Sequence, residues 1–124
     1  LAVYHVGAFP SYYLYDGKKP KTIRSCWSPL FEEGGICLAF EHHNHAYKRT
    51  YPLKGEKRSD EEGVIYLGDG SWGASARSPI KRDLFERAEK INACFLVEVD
   101  EEGLKVEAFS SKGEVFDELF LGGK

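Results

Sequence analysis

Short apolar runs recur along the first half of the chain and predict buried strands. The runs "LAVYHV", "ICLAF" and "VIYLG" are rich in aliphatic and aromatic residues and are bounded by glycine or polar residues, a pattern typical of buried strands. The segment "TIRSCWSPLFEEGG" lies between the first two runs and predicts a short helix that stops at Gly34 and Gly35.

Polar stretches separate these runs, and the C-terminal segment has a different pattern. "GAFPSYYLYDGKKPK" and "KRTYPLKGEKRSDEEG" predict loops, and "SPIKRDLFERAEK" predicts a helical turn or a covering loop. The segment "ACFLVEVDEEGLKVEAFSSKGEVFDELFL" alternates apolar and polar residues across two glycine-containing turn signals. It therefore predicts a three-stranded antiparallel meander. Together these elements predict an α/β fold with α+β character.

Length and composition limit the classes of protein to which the chain can belong. With 124 residues, 42% of them hydrophobic and 14% aromatic, the chain is expected to be one folded unit, 1–124. The net charge of −3 has interspersed signs, which argues against a nucleic-acid-binding face. No apolar run approaches the roughly 20 residues that span a bilayer. We therefore predict neither nucleic acid nor a membrane as a partner.

Two further features concern the chain ends and the cysteines. The chain begins within an apolar, strand-like run and contains no methionine, so we expect it to be a segment of a longer protein. Cys26, Cys37 and Cys94 are widely spaced and form no CxxC pair, which disfavours a zinc knuckle or a thioredoxin-type site. Cys37 and Cys94 lie in apolar runs, and we expect them to be buried, reduced thiols.

Histidines provide the candidate chemistry. Three of the four, His42, His43 and His45, lie in "EHHNHAYKRTYPL", and the fourth is His5. In extended backbone His43 and His45 would point to one side, with Cα atoms about 6.5 to 7 Å apart, while His42 would point away. Imidazole nitrogens bind zinc-like ions at about 2.0–2.1 Å, so this pair could contact one ion or two ions about 3.5–4 Å apart.

The positions of these histidines relative to the strands support a metal site. His5, the histidine cluster and "GDGSWG" each lie at the end of a predicted buried strand, and ligands of open α/β sheets bind at the carboxyl ends of strands. Asp69 could hydrogen-bond a ligand histidine. Two alternatives stay open: a histidine at a strand end can serve as a hydrogen-bonded structural residue, and "GDGSWG" can be a tight glycine turn.

The sequence around these histidines resembles a known superfamily. "FEHHNHAYKRTYPL" resembles the "GH-x-H-x-YeR" block of calcineurin-like metallophosphoesterases, and it is most similar to the purple acid phosphatases, which continue "HAYERT-P". "VYHVGAFPS" resembles their "lvHaPwYnS" segment, and "VIYLGDGSWG" resembles "vYi-xG-x-GG". The resemblance implies the C-terminal half of a metallophosphoesterase β-sandwich flanked by helices, ending in an antiparallel β-meander.

The resemblance also implies a function and a role for each matched residue. It implies a two-metal phosphoester hydrolase with ions of the Fe, Zn or Mn type and a phosphate ester as substrate. By position, His5 and His43 would bind one ion and His45 the other. Tyr47 and Arg49 match the "Y-x-R" positions, for which packing and loop anchoring are expected.

The chain departs from the superfamily pattern at three places. His42 replaces a glycine that permits a tight turn, so it is expected to be a strained or substrate-side residue and not a ligand. Lys48 replaces a glutamate, which we expect to matter little on a surface. The histidine that contacts the leaving group is missing, and Tyr12, Tyr13 or Lys18 are candidates for its place.

The aspartate and asparagine motifs "D-x-G/H", "GD-x-x-Y" and "GNH-D/E" are also missing from the chain. We therefore expect the other half of the domain to supply the remaining ligands, and the chain alone to bind metal weakly, if at all, without turnover. Two other readings remain open. One is a non-catalytic metallophosphoesterase-like binding or structural module, and the other is a mononuclear zinc site of His5, His43 and His45 with an open fourth position.

Overall fold

The computed structural model describes residues 1–68 and 70–123. Its helices are α1 (Lys18–Cys26) and α2 (Ser28–Glu33). Its strands are β1 (Ala2–Val6), β2 (Leu38–His42), β3 (Tyr47–Thr50), β4 (Leu53–Lys54), β5 (Lys57–Arg58), β6 (Ile65–Gly68), β7 (Phe85–Glu89), β8 (Ala93–Val99), β9 (Gly103–Ser110) and β10 (Val115–Gly122). Neither helix in the described ranges is both long and apolar enough to cross a membrane.

A five-stranded sheet with the order β1-β2-β6-β3-β7 forms the centre of the fold. In it β1, β2 and β6 run parallel, whereas β3 is antiparallel to both of its neighbours. A second sheet, β10-β9-β8, is an antiparallel meander, and β4 pairs with β5 in a small hairpin. The predicted α/β class with α+β character is confirmed, because helices are few and most strand pairings are antiparallel.

Alternate side chains of the central sheet pack into two apolar layers, one on each face of the sheet. Leu38 and Phe40 of β2 face the meander and pack with Val106 and other buried residues of β8 and β9. Ala39, the residue between them, faces the opposite side, where Phe9 and partly buried residues of the helices cover the sheet. Successive side chains of a strand point to opposite faces of the sheet. The meander therefore covers one face and the helices cover the other.

Most predicted elements are present, with local corrections. The three predicted strands and the three-stranded meander are present. Strands β2 and β6 are buried as predicted. Strand β1 is not, because it lies at the edge of the sheet and its residues are alternately partly buried and exposed. The helix begins earlier than predicted, at Lys18, and it is interrupted at Trp27. Pro29 fits near the start of α2, where its missing N–H has no helical partner in any case.

Two predicted loops contain strands instead. "SPIKRDLFERAEK" ends in β7, a strand at the edge of the sheet, and "KRTYPLKGEKRSDEEG" begins within the buried strand β3. Both strands carry charged residues that pair with partners elsewhere in the fold, so their polar composition hid them. Cys37 and Cys94 are free thiols and only partly buried, which corrects the prediction of full burial.

Candidate metal centre

Three parallel strands bring the predicted site residues to one edge of the central sheet. His5 lies near the end of β1, His42 ends β2, and β6 ends at Gly68. The chain beyond β6 passes close to the turn beyond β2, because a Cβ placed on Gly70 would lie only 2.6 Å from the backbone nitrogen of His43. The predicted convergence of the three strand ends is therefore present in the fold.

His5 and His43 face each other across this edge. The distance from His5 Nε2 to His43 Nδ1 is 3.0 Å, and the two rings meet edge to face. Two nitrogens that each bind one ion at about 2.0–2.1 Å lie about 3 to 3.4 Å apart at ordinary coordination angles. The separation of the two nitrogens falls in this range, and it is also the distance of a hydrogen bond between the two rings.

The backbone at His43 forms a tight and strained turn. His43 has a φ of 75°, and the N–H of Asn44 donates to the carbonyl oxygen of His42 at 2.9 Å, which together make a γ-turn of the rare type with positive φ at its centre. The Asn44 side chain reinforces the turn: its Oδ1 accepts from the N–H of Tyr12, and its Nδ2 donates to the His42 carbonyl. Strain of this kind is concentrated at functional sites in proteins.

This turn corrects two expectations. His43 and His45 do not lie in extended backbone, because β2 ends at His42 and both later histidines have positive φ, 75° and 57°. The argument from their spacing for shared facing is therefore wrong. Because His42 replaces a glycine of the superfamily pattern, strain is expected at His42 itself. The positive φ is found one residue later, at His43, and His42 is the last residue of β2.

The remaining predicted residues of the cluster lie apart from the facing pair. The carbonyl oxygen of His45 accepts from the backbone N–H of Arg77 at 2.7 Å. His42 lies beside Phe40 and Phe95, on the meander side of the sheet. Within residues 1–68 and 70–123, no three His, Cys, Asp or Glu side chains are grouped so that they could hold an ion, so the three-histidine zinc site lacks its third ligand there. Asp69 lies outside the described residues.

Aromatic and cationic side chains surround His43. Tyr13 stacks on its ring with centroids 5.0 Å apart, and the Tyr13 hydroxyl accepts a hydrogen bond from Arg77 at 2.6 Å. Partial burial lowers the pKa of His43, and the nearby His5 and Lys19 add to this effect. The neutral imidazole, which is the metal-binding form, is therefore favoured.

A cavity of about 300 Å³ opens beside this histidine. Val6, Pro10 and Leu14 contribute to an apolar wall, and Lys18 and Lys19 also line it. Of the three candidates for the missing leaving-group histidine, Tyr13 and Lys18 line the cavity, whereas Tyr12 packs under the Arg77 guanidinium. A cavity that combines an apolar wall with a few polar groups is typical of small-molecule sites.

Tyr47 and Arg49 lie on the meander side of β3, not at the histidines. The Tyr47 hydroxyl donates to Asp117, and the Arg49 guanidinium binds the same carboxylate through Nε at 2.8 Å and Nη2 at 3.1 Å. Burial raises the pKa of Asp117, but the hydrogen bonds from Arg49 and Tyr47 and the charge of Arg87 outweigh burial and lower it overall. These contacts join β3 to the last strand of the meander.

Lys48 is buried, which contradicts the expectation of a surface position. Its side chain is 1% exposed, and its ammonium donates to Glu41, whose side chain is 0% exposed. Burial lowers the pKa of Lys48, and the attraction of Glu41 opposes this shift. Sequence reasoning missed this pair. The available signal was Glu41 itself, a charged residue that directly continues the apolar run "ICLAF".

Comparisons with known proteins give likeness of fold without likeness of sequence. No protein-family model and no curated protein matches the chain. Among solved structures, purple acid phosphatase PPD1 from yellow lupin (Lupinus luteus) matches 97% of the chain, with a TM-score of 0.78 and 18% identity. GAP50, described as the anchor in the inner membrane complex of Plasmodium, also matches 97%, with a TM-score of 0.76 and 15% identity.

The chain corresponds to only part of these proteins, 24% of the lupin chain and 35% of the Plasmodium chain. At such low identity the likeness concerns the fold alone. The chain therefore has a fold similar to part of purple acid phosphatase PPD1 and to part of GAP50.

Proposed function

We propose that the chain carries the histidine side of a two-metal phosphoester hydrolase site. The observation that supports this most directly is the pair of facing nitrogens, His5 Nε2 and His43 Nδ1, 3.0 Å apart at the carboxyl edge of three parallel strands. Likeness of fold to a purple acid phosphatase agrees with the proposal. So does the γ-turn at His43, since backbone strain is concentrated where function requires it.

In this proposal the histidines act as neutral ligands. His5 and His43 hold one ion of the Fe, Zn or Mn type, and His45 binds the second ion. Bound ions of this kind supply Lewis acidity and favour ionisation of water at neutral pH. Neutral imidazoles cannot offset the repulsion between two cations, so carboxylate ligands from the other half of the domain are required.

The cavity beside His43 is the proposed binding place for the phosphate ester. Lys18 and Lys19 bring positive charge to a cavity whose wall includes Val6, Pro10 and Leu14. The cations attract the phosphate, and the apolar wall receives the alcohol group. Tyr13 is held between His43 and Arg77, so it forms a rigid side of this cavity.

An exposed edge of the sandwich is the proposed contact surface for the other half of the domain. Strand β1 is the outermost strand of its sheet and β8 of the meander, and the two edges lie side by side around a shallow depression. Val3 on β1 is 65% exposed, and Leu96 on β8 is 48% exposed. Apolar strand edges left open in this way promote aggregation, so a covering segment is expected.

The test measures metal content and hydrolysis of para-nitrophenyl phosphate, an aryl phosphate, for the 124-residue chain and for the full-length protein. We expect weak or no metal binding and no turnover for the chain, and stoichiometric metal with turnover for the full-length protein. In the full-length protein His5→Ala and His43→Ala should each abolish turnover. His42→Ala removes a neighbouring imidazole on the other side of the sheet, and it should leave most of the activity.

A non-catalytic module is the second candidate. It is favoured by the likeness to GAP50, described as the anchor in the inner membrane complex of Plasmodium. Its signature is a folded full-length protein that contains no stoichiometric metal and does not hydrolyse the aryl phosphate. Stoichiometric zinc and turnover in the 124-residue chain alone would contradict both candidates.

A further inference from the structure

One row of residues crosses the central sheet directly beneath the histidine edge. Tyr4 of β1 pairs with Glu41 of β2, Glu41 pairs with Gly68 of β6, and Gly68 pairs with Lys48 of β3. Gly68 has no side chain, so the Glu41 and Lys48 side chains meet above it. A Cβ at Gly68 would lie 3.0 Å from Cε of Lys48 and 2.9 Å from the Glu41 carbonyl oxygen.

The two charged side chains also bind the loop that follows β1. Oε1 of Glu41 accepts from the Tyr4 hydroxyl and from the N–H of Ala8, both at 2.5 Å, while Oε2 accepts from Lys48. Nζ of Lys48 donates to the carbonyl oxygen of Phe9 at 2.7 Å. The pair therefore fixes three groups on either side of His5 in the chain: the Tyr4 hydroxyl before it, and the Ala8 N–H and Phe9 carbonyl oxygen after it.

The same carboxylate is linked to both facing histidines through short stretches of backbone. His5 lies between Tyr4 and Ala8, which both donate to Glu41, and His43 lies two residues beyond Glu41. Replacing a buried ion pair by apolar residues is often neutral or stabilising, so stability alone is a weak reason for this pair. Its hydrogen bonds to the loop indicate a role in geometry.

We propose that the buried Glu41–Lys48 pair positions the His5 and His43 imidazoles at ligand distance, by anchoring the loop after β1 to strands β2 and β3. This inference rests on the proposed function, because the distance matters only where the two rings share an ion. Glu41 and Lys48 are positioning residues: they touch neither the ion nor the substrate.

Two double variants of the full-length protein separate anchoring from charge. Glu41→Leu with Lys48→Met fills the space with apolar groups but cannot accept from Ala8 or donate to Phe9. Glu41→Gln with Lys48→Gln removes both charges but keeps an acceptor and a donor. We expect the apolar pair, Glu41→Leu with Lys48→Met, to lower zinc affinity by about 10- to 100-fold, as does loss of the groups that hydrogen-bond and orient metal ligands. The amide pair, Glu41→Gln with Lys48→Gln, should retain most of the affinity.

A second readout does not depend on metal. The contact between the His5 and His43 rings is measured by nuclear Overhauser effects in the zinc-free protein with labelled histidines. It should be present in the wild type and the amide pair, and weakened in the apolar pair. Asp117→Asn serves as a stability control, because it weakens the fold elsewhere and should change neither zinc affinity nor the ring contact.

The outcomes distinguish this inference from the proposed function. If the wild type binds none of zinc, iron and manganese but the ring contact follows the expected order, the proposed function fails and the positioning role stands. An unchanged ring contact and unchanged zinc affinity in the apolar pair would overturn the positioning role. If the apolar pair does not fold, Tyr4→Phe, which removes one donor to Glu41, decides between the same outcomes with a smaller expected loss.

Discussion

Strand β3 carries two polar networks on its opposite faces, and they differ in what they hold. On the helix side, Lys48 reaches Glu41 beneath the histidine edge. On the meander side, Tyr47 and Arg49 reach Asp117 of the last strand. Both networks are largely buried and both contain an ion pair, so burial and charge alone do not distinguish them.

The difference lies in what surrounds each network. Asp117 receives donors from Tyr47, Arg49 and Arg87, so the carboxylate is satisfied by partners within the chain. The histidine edge instead has two residues with positive φ, His43 and His45, and two ring nitrogens, His5 Nε2 and His43 Nδ1, that lie 3.0 Å apart. The meander-side network joins the two sheets. The helix-side network instead supports strained backbone, as expected of a binding site.

The largest expected effect comes from breaking the meander network. Asp117→Asn removes one of the two carboxylates, Asp117 and Glu86, that bind the Arg49 guanidinium, and the Asp117 side chain is only 8% exposed. Removing one partner of a buried pair costs about 3 to 5 kcal/mol. Urea unfolding of the variant should show a loss of this size, while the contact between His5 and His43 is retained. Glu118→Gln, at the exposed next residue, is the matched control, and an equal loss there would contradict this assignment.

Acid should weaken the meander network in the wild type. The pKa of Asp117 is lowered in the folded protein, mainly through hydrogen bonds from Arg49 and Tyr47 that outweigh burial. A lowered pKa contributes stability that is present above the unfolded value, about 3.9, and is lost as pH falls through the folded value. Unfolding free energies measured from pH 6 downward should therefore fall more steeply in the wild type than in Asp117→Asn. Parallel curves would show that the network does not depend on this charge.

A smaller effect is expected where the helix-side network crosses Gly68. In Gly68→Ala the added methyl would lie 2.9 Å from the Glu41 carbonyl oxygen and 3.0 Å from Cε of Lys48, so the backbone or the lysine must shift. Such overpacking costs about 1 to 3 kcal/mol. Gly122→Ala is the matched control, since its methyl would meet only Phe120, at 3.9 Å. Equal stability of the two variants in urea would show that Lys48 does not need the space above Gly68.

The central strands and the place of the candidate residues at one sheet edge could be predicted from the sequence, because both depend on local pattern. Runs such as "ICLAF" are apolar at every position, as strands covered on both faces are, and a histidine at the end of such a run must lie at the sheet edge. The meander could also be predicted, because apolar and polar residues alternate along its sequence. Strand β7 was not, because it lies at the edge of the sheet and three of its five residues are charged.

The internal geometry of the site could not be predicted, because it depends on contacts between distant residues. The spacing of His43 and His45 carried no sign of the γ-turn, which Asn44 stabilises through Tyr12. Lys48 looked like a surface residue because its partner, Glu41, is brought opposite only by the strand order β2-β6-β3. Strand order and register are properties of the folded sheet, and the sequence around Glu41 or Lys48 does not indicate them.

The smallest expected effect isolates the strain at His43. His43→Gly and His43→Ala both remove the imidazole, its stacking on Tyr13 and the ring nitrogen that we propose as a metal ligand. They differ in that glycine adopts a φ of 75° without a steric cost from Cβ. The glycine variant should therefore be more stable than the alanine variant by about 1 kcal/mol in urea unfolding, because relief of the strain exceeds the entropic cost of glycine.

This pair of variants tests why the strained turn is there. If glycine is more stable than alanine while both fail to bind zinc in the full-length protein, the turn opposes stability and is explained by the imidazole that it aims at His5. If alanine equals or exceeds glycine, the turn at His43 carries no strain, and its geometry then follows from the hydrogen bonds of Asn44 alone. The meander network offers no such trade-off, because Tyr47 and Arg49 stabilise the fold through the same contacts that define their position.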